Sequence, residues 1–146
     1  MNLFIQAIVM AKINSRTKGA AFERLIVKKL NECLKDLNID QRAKRNLDQA
    51  YIKGLADIYI GQFAIECKRY GDSSSNMYKQ AWWDQVINSA GDKLIPILIY
   101  KFNRRDVMAV VPGWIVSDMP KDNQCTFMTP LADICDNLEE ILKRCG

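Results

Sequence analysis

Histidine is absent from all 146 residues of this chain. That removes Ser-His and Cys-His nucleophile systems, and it removes any zinc site that needs an imidazole ligand. Paired cysteine is missing too: Cys33, Cys67, Cys125, Cys135 and Cys145 are odd in number and nowhere spaced C-x-x-C. Five reduced thiols in a cytosolic protein are the expectation, which argues against a small redox protein. No apolar run approaches the roughly 20 residues that would span a bilayer, so no membrane partner is expected. The apolar opening Leu3–Ala11 lacks a basic flank and a cleavage site, which disfavours a secretory signal and favours a cytoplasmic location, bacterial or phage-infected. Met10-Ala11-Lys12 resembles a second start, so residues 1–9 read as a dispensable upstream extension, and residues 1–15 as an N-terminal extension that need not be ordered. Linkers, repeats and low-complexity tracts are absent as well, and residues 1–146 read as one domain with a C-terminal segment at 112–146.

What is present is an ordinary globular composition, 49% apolar and 26% charged, which excludes a disordered chain. Charge is uneven: residues 1–79 carry 14 Lys and Arg against 8 Asp and Glu, whereas residues 80–146 carry 7 against 9. A basic half points to a polyanion-facing side. Without histidine, the available chemistry is that of carboxylates, lysine and an oxygen-loving cation.

Ser15 or Thr17 can cap a helix from about Lys18 to Leu37, with Ala21, Phe22, Leu25, Ile26, Leu30, Cys33 and Leu34 on its apolar face. Residues 38–54 are polar and basic, either a short helical turn or an extended arm. Ile58–Ile60 and Phe63–Lys68 are rich in β-branched and aromatic residues, and Gly61-Gln62 between them suits a type II′ hairpin. That register sets Ile60 against Phe63, Tyr59 against Ala64, Ile58 against Ile65, and Asp57 against Glu66. Ile58, Ile60, Phe63 and Ile65 then share the core face, while Asp57, Glu66 and Lys68 share the other. Met77–Ala90 reads as a helix carrying Tyr78, Ala81, Trp82, Gln85 and Ser89 on one stripe; Trp82 and Trp83 read as core. Leu94–Phe102 reads as a strand buried on both faces, Asp106–Val111 as a further strand, and Trp114–Val116 as one more within an irregular 114–130. Leu131, Ile134, Leu138, Ile141 and Leu142 mark a terminal helix. The order predicts an α/β sandwich around a mixed sheet.

Two carboxylates opposed across a hairpin lie about 5 Å apart at Cβ, and like charges there destabilise a sheet. A divalent cation that keeps waters for a phosphate neutralises such a pair. Lys68, on the same face, can offset charge on a phosphate or help deprotonate an attacking water. The local geometry therefore suits metal-assisted phosphodiester hydrolysis, although D-x8-E-x-K alone is a loose pattern.

Its surroundings are more specific. Gly19-Ala-Ala-Phe-Glu23-Arg24 on a helix, then Asp57, then Glu66-Cys67-Lys68 on a strand, then a helix with Gln85, resembles the PD-(D/E)xK nuclease superfamily over about residues 16–102. The likeness runs to the archaeal and phage Holliday-junction resolvases, which carry a G-x-x-x-E-R helix before the D…E-x-K strands. Ala56 stands where the family name has Pro. The resemblance implies a restriction-endonuclease-like mixed central sheet flanked by helices. It implies that Asp57, Glu66 and Glu23 hold Mg²⁺ or Mn²⁺, that Lys68 assists the water, and that Gln85 lies beside the site. It implies a homodimer acting on branched DNA; the alternatives are a repair or restriction-like nuclease on duplex ends or flaps, and a non-catalytic DNA-binding protein. Arg42, Lys44, Arg45 and Lys53 are the candidate DNA contacts, with Arg16, Lys18, Arg69 and Lys79 as secondary ones.

Overall fold

A computed structural model describes residues 3–47 and 55–146, with side chains in the first helix described from Lys18 onward. Helix α1 spans Leu3–Asp36. It begins well before the expected Lys18, because residues 3–17 contain no Pro or Gly to stop a helix that is already formed. Phe22, Ile26, Leu30 and Leu34 form its buried stripe, whereas Ala21 and Leu25 fall outside it. Asn38 ends the helix with φ 56°; its N–H donates to Lys35 O (3.0 Å) and Ile39 N–H donates to Leu34 O (2.9 Å). This is the paired-bond stop that a left-handed residue makes after a helix.

The chain then runs as an arm, and the Asn31 amide clamps it through both polar groups of the Ala43 backbone (2.6 and 3.2 Å). Strand β1, Lys44–Arg45, pairs antiparallel with β2, Ile58–Ile60. The extended alternative for 38–54 therefore holds over 44–45; residues 48–54 lie outside the described set. β2 pairs antiparallel with β3, Phe63–Arg69, in the register read from the sequence: Ile58 to Ile65, Tyr59 to Ala64 and Ile60 to Phe63. Gly61 takes φ 49° at the turn, and its space is bounded by the Gln41 side chain.

Helix α2, Gln80–Ala90, crosses from β3 to β4, Ile95–Lys101, which lies parallel to β3. It starts three residues later than expected. The Ser75 hydroxyl accepts from Met77 N–H (3.0 Å), and Tyr100 O–H donates to Asn76 O (2.7 Å), which holds the segment before it in a turn. β5, Met108–Pro112, and β6, Thr126–Pro130, complete a six-stranded sheet in sequential order, antiparallel except between β3 and β4. β6 falls within the stretch read as irregular; as an edge strand with exposed Thr126 and Phe127, it shows no apolar alternation. Gly113–Ile115 is a 3-10 turn rather than a strand. The terminal helix is two, α3 Leu131–Asp136 and α4 Leu138–Cys145; Asn137 breaks it, its side-chain amide donating to Asp133 O (2.8 Å).

Strand alternation splits the core. Ile58, Ile60, Phe63, Ile65, Ile97, Ile99, Ala109 and Val111 pack with α1, α3 and α4. Leu98, Tyr100, Phe102, Met108 and Val110 pack with Trp82, Trp83 and Val86 of α2, so both tryptophans are core. A mixed central sheet flanked by helices is thus the architecture. Among the described residues no helix is long and apolar enough to cross a membrane. All five cysteines are free thiols.

The hairpin turn sets the register that brings Asp57 to β3. Gly61→Ala is expected to lower stability by about 1–2 kcal/mol, the cost of a left-handed non-glycine residue. Urea unfolding checks this, with a Gln62→Ala variant at the neighbouring exposed position changing by less than about 0.5 kcal/mol.

Candidate active site

Asp57 stands one residue before β2, where the β2–β3 ladder has ended. Its Oδ2 accepts the backbone N–H of Cys67 at 2.8 Å, so a side chain continues the pairing that the backbone has stopped making. Asp57 is 7% exposed and Glu66 1% exposed. Among the described residues no Lys or Arg makes an ion pair with either carboxylate.

The charges act on one another. Burial, and then the neighbouring Asp57 carboxylate, push the Glu66 carboxyl up to about 8, against the opposing pull of the Ser89 hydroxyl and Lys68. Burial and Asp57 also raise Glu23 on α1, while Arg45 draws it back. The Cys67 thiol is driven well up by burial and by the charges of Asp57, Glu23 and Glu66, so all three carboxylates act electrostatically on this part of β3. They do so in two pairs that share Asp57. Among the described residues no three His, Cys, Asp or Glu side chains form a ready-made metal cage.

Each member is held by a second element. Arg45 on β1 reaches Glu23 Oε2 through Nη2 (2.9 Å) and Nε (3.0 Å). Ser89 Oγ donates to Glu66 Oε1 at 3.0 Å. The Gln85 amide accepts from Lys68 Nζ at 2.6 Å and donates to Glu66 Oε2 at 3.4 Å, joining acid and lysine through one side chain. Glu66 and Lys68 lie two apart on β3, and Gln85 and Ser89 lie four apart on α2; strand and helix periodicities bring the four together. Ser89 was visible in the sequence only as a stripe residue beside Gln85. Arg45 as the partner of Glu23 had no sequence signal.

The candidate DNA contacts divide into two groups. Lys18, Arg42, Lys44 and Lys79 are exposed, with the Arg42 guanidinium resting on the carbonyls of Ile39 and Gln41. Arg45 is engaged by Glu23; Arg69 donates to Asn103 Oδ1 (2.9 Å) and to the Tyr70 and Lys101 carbonyls. Lys53 and the Arg16 side chain lie outside the described residues. A groove of about 740 Å³ between α1 and α3, lined by Lys29, Cys33, Asp106 and Cys135 among others, holds none of the site residues.

The donor set is entirely oxygen, and two of its carboxylates are buried beside each other without a pairing cation. Hard divalent ions such as Mg²⁺ take one or two carboxylates and keep waters, so the residues fit such an ion without a closed cage.

A mixed sheet with an acidic pair and a lysine at its β2–β3 hairpin is the arrangement that the resemblance to the PD-(D/E)xK nucleases leads one to expect. The family profile described as "Phage putative PDDEXK endonuclease" matches residues 14–135, and the chain belongs to that family. Comparison with curated proteins found no match. Among solved structures, a Holliday junction resolvase named Hjc, from the archaeal hyperthermophile Archaeoglobus fulgidus, is similar. It is 14% identical, the match covers 83% of this chain and 98% of that one, and the TM-score is 0.48.

Glu66 generates a pH prediction for the metal-free protein. In the unfolded chain it loses its proton near 4.5, whereas the folded protein keeps it to about 8. The folded state therefore binds more protons across that window, and stability falls as pH rises through it. In EDTA, the thermal midpoint is expected to decline from pH 5 to pH 8 more steeply in the wild type than in Glu66→Gln. Parallel curves would contradict the assignment.

Proposed function

We propose that this chain is a divalent-metal-dependent endodeoxyribonuclease that resolves branched DNA, four-way junctions above all, as a symmetric homodimer. One observation carries the hydrolytic reading: buried Asp57 lies between two further carboxylates, with Lys68 beside Glu66 on the same strand. Such crowding of like charge is costly in a folded protein unless a cation or a proton offsets it. Asp57 and Glu66 hold Mg²⁺ or Mn²⁺, and Glu23 supports them from α1. When bound, the ion supplies Lewis-acid polarisation of the phosphate and lowers the pKa of a water.

The chain's own residues do the remaining work. Ser89 and Gln85 fix both oxygens of Glu66, so the carboxylate needs no reorganisation when the substrate arrives. Gln85 holds the Lys68 ammonium beside Glu66, where it can offset charge gathering on the scissile phosphate. Arg45 orients Glu23 and keeps α1 against the β1 arm. Exposed Arg42, Lys44, Lys18 and Lys79 bind flanking phosphates in a sequence-independent way. Arg16, Lys53 and Arg69 are secondary candidates for the same task. The branched substrate and the dimer rest on the sequence resemblance of the G-x-x-x-E-R helix and the D…E-x-K strands to junction resolvases. A two-fold dimer would present paired sites to the two related strands of a junction. On this reading the protein acts in the cytoplasm, bacterial or phage-infected.

Labelled four-way junction, linear duplex and flap DNA, each with Mg²⁺ or EDTA, test the proposal. The expected result is Mg²⁺-dependent paired nicking of the junction, lowered by about 100-fold or more in Asp57→Asn and Lys68→Ala, as when a single charge-stabilising group is removed. Equal cutting of all three substrates would make it a repair or restriction-like nuclease. Binding without cleavage, unchanged in the variants, would leave a non-catalytic DNA-binding protein.

A further inference from the structure

The contacts that build the site continue past it in one direction. Glu66, Lys68 and Tyr70 alternate onto one face of β3 and its extension, where Tyr70 N–H still donates to Lys101 O at 3.0 Å. Ser89, Gln85 and Trp82 answer them from one stripe of α2. Ser89 meets Glu66 (3.0 Å), Gln85 meets Lys68 (2.6 Å), and the Trp82 ring stacks on Tyr70 with centroids 4.9 Å apart and planes 22° apart. The third rung of this ladder is thus aromatic. Its inner ring is core, Trp82 being 5% exposed, but Tyr70 is 44% exposed.

Tyr70 is held firmly for a surface ring. Its N–H and C=O are both bonded, the carbonyl by the Arg69 guanidinium, and Trp82 backs one face of the ring. The Lys79 ammonium lies 5.7 Å from the Tyr70 ring centre and 5.8 Å from that of Trp82. Nearly equidistant from the two centroids, this ammonium serves both rings of the stack and is not seated on Tyr70 alone. A fixed aromatic ring with a cation close by, in line with Glu66 and Lys68, has the components of a nucleotide subsite: stacking for a base and charge for its phosphate. Two strand residues advance about 6.6 Å per alternation, so Tyr70 stands on the order of one nucleotide step of an extended strand from Lys68.

We infer that Tyr70, backed by Trp82 and flanked by Lys79, binds an unpaired base of the nucleotide next to the cleaved phosphodiester. This rests on the nuclease reading and narrows its substrate. A paired base is already stacked on both sides and gains nothing from a third surface, whereas an unpaired one does. The subsite therefore selects DNA with an extruded or single-stranded nucleotide at the point of cutting, as branch points and bulges provide.

The test compares a fully paired duplex with the same duplex carrying one unpaired 2-aminopurine, whose emission falls on stacking. Affinities are measured with Ca²⁺ in place of Mg²⁺, and cleavage with Mg²⁺. The wild type is expected to prefer the unpaired substrate and to quench its emission on binding. Tyr70→Leu, which keeps an apolar group against Trp82, should reduce the preference about tenfold and abolish the quench, while Tyr70→Phe retains both; circular dichroism checks that each variant is folded. Quenching and preference unchanged in Tyr70→Leu would overturn the subsite. Wild-type cleavage with equal preference for both substrates would overturn it and leave the nuclease reading standing. A wild type that cuts no DNA would overturn both.

Discussion

The hydrogen bond from Cys67 N–H to Asp57 Oδ2, 2.8 Å long, is the contact on which the site depends. It anchors a carboxylate at the end of a hairpin whose backbone pairing has stopped, within reach of Glu66 on one side and Glu23 on the other. Held there, Asp57 is nearly buried and raises the proton affinity of both neighbours. The surrounding polar bonds follow from that confinement. Arg45 counters charge at Glu23, Ser89 and Gln85 satisfy Glu66, and Lys68 is tethered rather than collapsed into an ion pair with the acid. The arrangement leaves the acidic pair short of positive charge, which is the condition for taking up a divalent ion.

The fold serves this constraint from three directions. β1 is only two residues long, yet it brings Arg45 to α1 and closes the side of the site near Glu23. α1 contributes Glu23 one residue after Phe22, so the stripe that buries the helix also fixes the azimuth of the acid. α2 lies over the other face of the sheet as the crossover between the only two parallel strands among the described residues. That crossover aligns Ser89, Gln85 and Trp82 along β3. Positioning residues therefore come from elements that are also core-forming, which ties site geometry to packing.

Local chemistry decides what the sequence reveals. The β2–β3 register is legible because Gly61-Gln62 fixes the turn, and alternation then assigns each side chain to a face. β4 is legible from its nearly continuous apolar run. The Glu23–Arg45 pair spans 22 residues and crosses the polar arm after α1, which has no periodicity, and nothing short of the fold predicts it. β6 is hidden because an exposed edge strand has no apolar alternation, and the break at Asn137 is hidden because the apolar spacing runs straight across it. Ser89 is legible only as a stripe neighbour of Gln85, and Tyr70 carries no signal, until α2 is laid along β3. Glu66 and Lys68 are readable as a motif, but the burial that raises Glu66 to about 8 is a property of packing.

Direct titration with Mn²⁺, followed by the loss of its free-ion electron paramagnetic resonance signal, tests the account most directly. The crowded carboxylates of the wild type should bind Mn²⁺ and bind it more tightly at pH 8.5 than at pH 6, because Glu66 must give up its proton to become a ligand. Asp57→Asn should weaken binding by about 10-fold or more, in line with the loss of a charged oxygen donor. Equal Mn²⁺ binding by wild type and variant, or none by the wild type at either pH, would contradict the central claim that Asp57 and Glu66 form a metal centre.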